Sequence, residues 1–326
     1  MNIKRISWQR WRVNNKELLA EATQRLTTTS ESARADAEIL LAHCLQKSRT
    51  WLMTWPEKLV EPEVEAKFQQ LLAERIRGVP VAHLTEQREF WTLNLKVTSD
   101  TLIPRPETEL LVETALFLLE ERTSPPSPLS LTGEGGQEWS SSSPSPVKER
   151  GAGGEVLRST ILDLGTGTGA IALSLASERP DLSITACDFS AAALAVAIEN
   201  ANTHQLHNVS FIQSDWFSHL PPQRFEAIIS NPPYIETNDP HLSQGDVRFE
   251  PLTALTAGQD GLDDIRHIVQ TAPHWLVNGG WLLLEHGYNQ GTAVTALLQM
   301  AGFHQVRCLP DLAGNDRVSL GQWLVA

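Results

Sequence analysis

Apolar positions first fall into a helical rhythm. Ala37, Leu40, Leu41, Cys44 and Leu45 lie at i, i+3, i+4, i+7 and i+8, which is one face of a helix. The stretch EVEAKFQQLLAERIRG repeats that rhythm and stops at Gly78 and Pro80, residues that end helices. Residues 1–86 therefore read as a small all-α domain. The period then changes. In FWTLNLKV apolar and polar positions alternate as in a half-buried strand, and Ser99-Asp100 reads as a turn before TLIP, which predicts a β-hairpin. Pro106 suits the first turn of a following helix, where a missing N–H is harmless. Glu107 and Glu109 complement that helix's positive end, and Leu111, Ala115, Leu118 and Leu119 predict its buried stripe. Residues 87–121 thus read as a hairpin with a connecting helix.

The rhythm disappears between 122 and 155, where Ser, Pro and Gly dominate. Such a segment cannot bury enough apolar surface to offset the entropy of ordering it, so it predicts disorder. SPLSLTGEGG from Ser127 and SPVKERGAGG from Ser145 share one degenerate pattern, the mark of inserted low-complexity sequence.

From 156 to 326 short apolar runs alternate with helical stretches. TILDLG precedes GAIALSLASERP, SITACD precedes SAAALAVAIENANTH, and VSFIQSD and FEAIISNPP read as further strands. IRHIVQTAPHWLVNGG reads as helix then turn, WLLLEHG as strand and NQGTAVTALLQMAGF as helix. HQVRCLPD and RVSLGQWLVA read as closing strands. This alternation predicts an α/β fold with a doubly wound parallel sheet. Ligands of such sheets bind at the carboxyl ends of the strands, where the strand order reverses.

Bulk properties narrow the picture a little. A length of 326 residues suits two domains. No apolar run approaches the ~18 residues of a membrane span. The basic N-terminus (Lys4, Arg5, Arg10, Arg12) precedes no apolar region of a secretory signal. Cys44, Cys187 and Cys308 are scattered, with neither disulfide nor metal-ligand spacing. No metal is expected, and the pattern fits a reducing cytoplasm. A net charge of −13 weighs against a broad nucleic-acid footprint.

The candidate chemistry sits at strand ends. Gly165-Thr166-Gly167-Thr168-Gly169 lies between a strand and a helix, where glycines permit a tight turn and close backbone approach to a ligand. Asp188 ends the next strand, and a carboxylate there can accept hydrogen bonds from ribose hydroxyls. Both features suit a nicotinamide dinucleotide as well as S-adenosylmethionine. Asp215 can bond an adenine amino group, and Trp216 can cover its ring.

The most telling stretch is SNPPYIE, at 230–236. Two prolines make a rigid corner. A planar nitrogen, whether of an amide or an exocyclic base amine, is a poor nucleophile because its lone pair is delocalised. To be methylated it must be held with its N–H groups on fixed acceptors. Asn231 Oδ1 and the Pro232 carbonyl are such acceptors, and Tyr234 can stack on the planar group.

DLGTGTGAIALSLA, CDFS and SNPPYIE together resemble the class I S-adenosylmethionine-dependent methyltransferases of the N-methylating NPPY group. LIPRPETELLVE upstream and DVRFEPLTALTAGQDGLDDI downstream narrow the resemblance to the release factor glutamine methyltransferase family (PrmC, also called HemK). It runs from ARADAEILLAHCL to GNDRVSLGQW. The resemblance implies a Rossmann-like methyltransferase sheet with a small N-terminal all-α domain joined by a β-hairpin. It implies a cytoplasmic enzyme that methylates the side-chain amide nitrogen of the Gln in the Gly-Gly-Gln motif of peptide-chain release factors. S-adenosylmethionine would be the donor and S-adenosylhomocysteine the product. Gly165 to Gly169, Asp188 and Trp216 would bind the cofactor. Asn231 would contact cofactor and substrate, with Pro232, Pro233 and Tyr234 completing the glutamine pocket, and the helical domain would grip the release factor. No membrane and no direct nucleic-acid substrate is expected.

Alternatives remain at this level: a ribosomal protein glutamine, an exocyclic base amine, or a silent cofactor-binding module. The segment 122–155 departs from the family, whose members usually lack it. Its own Gly135-Gly136-Gln137 reads as a coincidence of Gly-rich sequence.

Overall fold

The structure, a computed structural model, describes residues 13–123 and 159–325. Helix α1 (Asn15–Leu26) opens with a capping box. The Glu17 N–H donates to Asn14 Oδ1 at 2.9 Å and the Asn14 N–H donates back to Glu17 Oε2 at 3.2 Å. With α2 (Ala33–Leu45), α3 (Arg49–Thr54), α4 (Pro62–Ile76) and α5 (Val81–Thr85) it forms the helical domain. Leu18, Leu26, Leu40, Leu41, Phe68 and Leu72 make a core of its own. The predicted stripe of α2 is buried except for the half-exposed Leu45.

Strands β1 (Gln87–Phe90) and β2 (Leu93–Lys96) form the hairpin, but its turn is at Trp91-Thr92 and not at Ser99-Asp100. Trp91 takes a left-handed φ of 55°, which nothing about a tryptophan announces. Distant partners hold it there: its N–H donates to Glu109 Oε1 at 2.9 Å and its Nε1–H to Glu178 Oε1 at 2.7 Å. Ser99-Asp100 is a turn, and the chain runs from it to the 3-10 turn at Pro106 without an intervening strand. Pro106–Thr108 is a 3-10 turn that runs into α6 (Glu109–Thr123), whose stripe is buried as expected. The helix thus extends two residues into the segment read as disordered. The rest of that segment, with Gly135-Gly136-Gln137, lies outside the described residues.

The second half is a seven-stranded sheet. Its elements are β3 (Thr160–Leu164), α7 (Ala170–Glu178), β4 (Ser183–Asp188), α8 (Ala191–Thr203), β5 (Val209–Gln213), β6 (Phe225–Ser230) and α9 (Asp263–Thr271). β7 (Leu276–Glu285), α10 (Gly291–Met300), β8 (His304–Pro310) and β9 (Asp316–Trp323) complete it. The strand order is β5-β4-β3-β6-β7-β9-β8. The first five are parallel, and β9 runs antiparallel to both neighbours. Helices α6 and α7 and the hairpin cover one face, and α9 and α10 the other, each over an apolar core. The Asn278-Gly279-Gly280 stretch, read as a turn, lies inside β7. The register there jumps from Phe225 opposite Leu276 to Ala227 opposite Trp281, so the two glycines serve an irregularity within a strand.

Order reverses between β3 and β6. The chain winds outward through β4 and β5, then returns to β3's other side. After β6 the segment 235–262 wraps the sheet's carboxyl edge as a collar of short 3-10 turns, closed on itself by a bridge between Ile235 and Thr256. Three arginines fasten it, and one of them, Arg248 of the collar itself, donates to the Arg77 carbonyl at 2.9 Å. Arg105 Nη2 donates to both oxygens of the buried Glu250, at 2.7 and 2.9 Å. Arg75, buried at the end of α4, donates through Nε to Asp36 at 2.7 Å and through Nη1 to Asp246 at 2.8 Å. Among the described residues, no helix is long and apolar enough to cross a membrane.

Candidate active site

The strand ends around the reversal point open into a cavity of about 430 Å³, bounded by the collar and by the 99–102 turn. That volume lies in the range of small-molecule sites, roughly 300–1,000 Å³. Four carboxylates line it, Asp100, Asp188, Asp215 and Asp264, and among the described residues no Lys or Arg does. Such a lining is electrostatically better suited to a positively charged ligand than to an anion.

The glycine loop is tied to the neighbouring strand. The N–H groups of Gly165 and Thr166 both donate to the Cys187 carbonyl at 2.9 Å. Gly167 needs its glycine: at φ 56° its N–H turns to donate to Asp188 Oδ2 at 2.9 Å. The Ser190 N–H donates to Asp188 Oδ1 at 2.8 Å. Each Asp188 oxygen therefore keeps capacity for one further donor. Burial raises the Asp188 pKa above the ordinary carboxylate value, and those two bonds oppose the rise. Beneath the loop, burial pushes the fully enclosed Asp163 up to about 7, although Thr166 Oγ1 donates to it at 2.6 Å.

Trp216 lines the cavity in a left-handed conformation, φ 46°. Such a backbone persists only where the surroundings impose it. Its carbonyl accepts from Ser214 Oγ at 2.7 Å, and its indole is hydrogen-bonded to Asp264, whose pKa burial nevertheless raises.

The corner after β6 is held at both ends. Ser230 Oγ donates to the Leu164 carbonyl at 2.8 Å, which ties the corner to the glycine loop's strand. At the far end Gln290 Nε2 donates to the Tyr234 carbonyl at 3.0 Å. Gly261, at φ 70°, passes so close that a Cβ there would collide with that same carbonyl. Between these anchors Asn231 Nδ2 donates to Thr108 Oγ1 at 3.1 Å. Among the described residues no group donates to Asn231 Oδ1.

Of the residues expected in the site, Gly165, Gly167, Asp188, Asp215, Trp216, Asn231 and Pro233 line the cavity. Thr166 and Thr168 are buried under the loop, Gly169 starts α7, and Pro232 is buried. Tyr234 sits behind the wall: its ring packs in the core under α9 and its hydroxyl points at Glu285 Oε1, 3.4 Å away. Sequence reasoning missed Thr108, Asp264 and Glu285. Glu285 did carry a signal, since an acid ending the apolar run WLLL is out of keeping with a core strand.

Known proteins are similar to this chain over both of its halves. A family described as the PrmC N-terminal domain matches residues 17–85, and one described as the methyltransferase small domain matches residues 154–245. The release factor glutamine methyltransferase of Vibrio cholerae is 46% identical over 94% of this chain and 95% of its own. That of Pseudomonas aeruginosa is 49% identical over 90% of this chain and 94% of its own. Among solved structures, the hMettl16 catalytic domain in complex with a MAT2A 3′UTR hairpin superposes with a TM-score of 0.50. It covers 83% of this chain and 86% of its own at 12% identity, a likeness of fold alone.

Proposed function

The chain belongs to the release factor glutamine methyltransferase family, and on that premise we propose that it transfers a methyl group from S-adenosylmethionine to a release factor. The acceptor is the side-chain amide nitrogen of the Gln in the Gly-Gly-Gln motif. The observation that carries this reading is Asn231, which lines an acidic cavity while its own NH2 is bound to Thr108.

The donor set fits this cofactor. A cavity with four carboxylates suits a ligand bearing a sulfonium and an ammonium, and is a poor host for the pyrophosphate of a nicotinamide dinucleotide. Asp188 would hold the ribose hydroxyls, Asp215 the adenine amino group, and Trp216 the face of the base. Bound there, the cofactor supplies an electrophilic methyl group. Asn231 Oδ1 and the Pro232 carbonyl then hold the substrate amide, Pro233 borders its pocket and Tyr234 braces the corner from behind. Holding the amide in one orientation carries most of the barrier reduction, and no general base is obligatory.

Incubation with purified release factor and labelled donor, followed by mapping of the modified residue, tests the reading. Methyl incorporation is expected on the Gln of Gly-Gly-Gln and is abolished when that Gln is replaced by Asn, whose amide falls one methylene short. Comparable methylation of protein-free RNA or DNA overturns it. A second result bears on the cofactor. Asp188→Ala weakens affinity for S-adenosylhomocysteine by roughly 1.5–3 kcal/mol, the range for hydrogen bonds to a charged group. Calorimetry that finds unchanged affinity in a folded variant removes Asp188 from the site.

A further inference from the structure

We propose that Gln290 is a positioning residue for methyl transfer: its side-chain amide fixes the Tyr234 end of the catalytic corner and keys that corner to the collar. The inference rests on the function proposed above and deepens it with a residue that does not line the cavity.

Backbone groups on both sides settle which way this amide faces. Gln290 Oε1 accepts from the Gly287 N–H at 2.8 Å, and an N–H can only donate. Nε2 donates to the Tyr234 carbonyl at 3.0 Å and to the Asp260 carbonyl at 3.3 Å, and carbonyls can only accept. The Gly261 carbonyl lies 3.5 Å from the same nitrogen. Turned over, the amide would set an oxygen against three carbonyls and an NH2 against an N–H. Its mount is firm. The Gln290 N–H donates to the Gly287 carbonyl at 2.9 Å, and the Gln290 carbonyl accepts from Val294 at 2.9 Å. Helix α10 follows at once and is packed into the core through Val294 and Leu298.

The corner transmits this hold to the reacting group. Pro232 and Pro233 each have a fixed φ, so few torsions separate the Pro232 carbonyl from the Tyr234 carbonyl. With Ser230 tied to Leu164 at one end, placing the Tyr234 peptide at the other also places Asn231 and Pro232 between them. The same nitrogen gathers Asp260 and Gly261 at the end of the collar. Next to Tyr234, Ile235 donates to the Leu255 carbonyl at 2.9 Å and accepts from the Ala257 N–H at 3.0 Å. Pro251, Thr253 and Ala254 of that collar border the cavity. Without the NH2, three carbonyl oxygens face one another with no donor among them, and the corner and collar move apart. Asp188 and the glycine loop, held by their own bonds on β3 and β4, stay in place.

Turnover is measured on release factor at saturating donor, per mole of folded enzyme. Gln290→Met keeps the length of the side chain but donates nothing. It lowers kcat by ~10–10²-fold, the scale of a misplaced reacting group, with the release factor KM and the affinity for S-adenosylhomocysteine within about threefold of the parent. Gln290→Glu keeps the shape and the acceptor for Gly287. At about pH 8 its carboxylate sets an oxygen against the Tyr234 carbonyl, so kcat falls at least as far as in Gln290→Met. A Gln290 that only fills space predicts a lowered denaturation midpoint with parental kcat in both variants.

A substrate-free measurement on the parent accompanies these. The side-chain NH2 protons of Gln290 exchange with water at least about tenfold more slowly than those of an exposed glutamine, as read by ¹⁵N-resolved hydrogen exchange. A parent enzyme that leaves the release factor unmethylated while these protons are protected refutes the functional reading and keeps the clamp. Unprotected NH2 protons in the parent, or a folded Gln290→Met or Gln290→Glu enzyme with parental kcat, overturn the clamp.

Discussion

Asn231→Ala lowers the rate of methyl transfer by at least ~10²-fold, the scale seen when one preorganised polar group is removed from a reacting centre. The amide nitrogen of glutamine has its lone pair in resonance with its carbonyl, so its nucleophilicity depends on how it is held. Asn231 is held by hydrogen bonds on three sides. Ser230 is anchored to Leu164 before it, Tyr234 to Gln290 after it, and its own Nδ2 to Thr108. Alanine removes the acceptor and the bond to Thr108 but leaves the Ser230 and Tyr234 anchors in place. Donor affinity falls much less, because the cavity's other contacts, Asp188 and the glycine loop above all, are untouched. Single-turnover rates with calorimetry on the same variant separate the two effects. Near-normal turnover would remove Asn231 from the mechanism.

Arg75→Met destabilises the protein by about 3–5 kcal/mol, the usual consequence of removing one partner of a buried ion pair. Arg75 and Asp36 are each more than nine-tenths buried in their side chains and lie 2.7 Å apart. Burial works against the arginine's charge, and the bonds to Asp246 and Asp36 more than restore it. Methionine fills the space of the stem but leaves Asp36 enclosed with only the hydroxyls of Ser30 and Ser32. Because Arg75 also holds Asp246 of the collar, the variant loosens the helical domain from the catalytic half, where Arg248 of the collar still donates to the Arg77 carbonyl. Chemical denaturation is expected to show a lower midpoint, with an early transition for residues of α1 to α5. Pairing the change with Asp36→Asn recovers part of the loss, since no charge is then stranded. A loss under about 1 kcal/mol, the worth of an exposed pair, contradicts the assignment.

Most of the fold was legible because its elements are carried by local rhythm. The stripes of α2 and α6 and the alternation of β3 to β8 with their helices follow directly from periods of 3.6 and 2. What failed was set at a distance. Trp91 turns the hairpin because Glu109 and Glu178 capture its two N–H groups, and no local feature marks that. Asn278-Gly279-Gly280 looks like a turn from its composition, yet pairing with β6 and β9 keeps it within β7. The site divides the same way. The glycine loop, Asp188 and the Asn231 corner are legible because each is a short motif at a strand end. Thr108 and Asn231 are 123 positions apart, and Tyr234 and Glu285 are 51 apart, so only the sheet brings them together. An aromatic ring beside planar groups suggests stacking on the substrate; in the structure the half-buried Tyr234 ring packs against the core under α9.

The placement of β9 governs the order in which the molecule can be made. β8 leaves the ribosome before β9, yet in the sheet β9 lies between β7 and β8. A nascent chain at that stage has β7 with one edge bare and β8 with no partner, both open to pairing with other chains. At translation speeds of about 5–20 residues per second, that gap closes within seconds once Asp316–Trp323 emerges. The carboxyl end of β7, where Glu285 stands, gains its second neighbour only then. Until then the edge of β7 that β9 covers stays open, and a chain halted before Asp316 keeps a bare strand edge prone to misassembly.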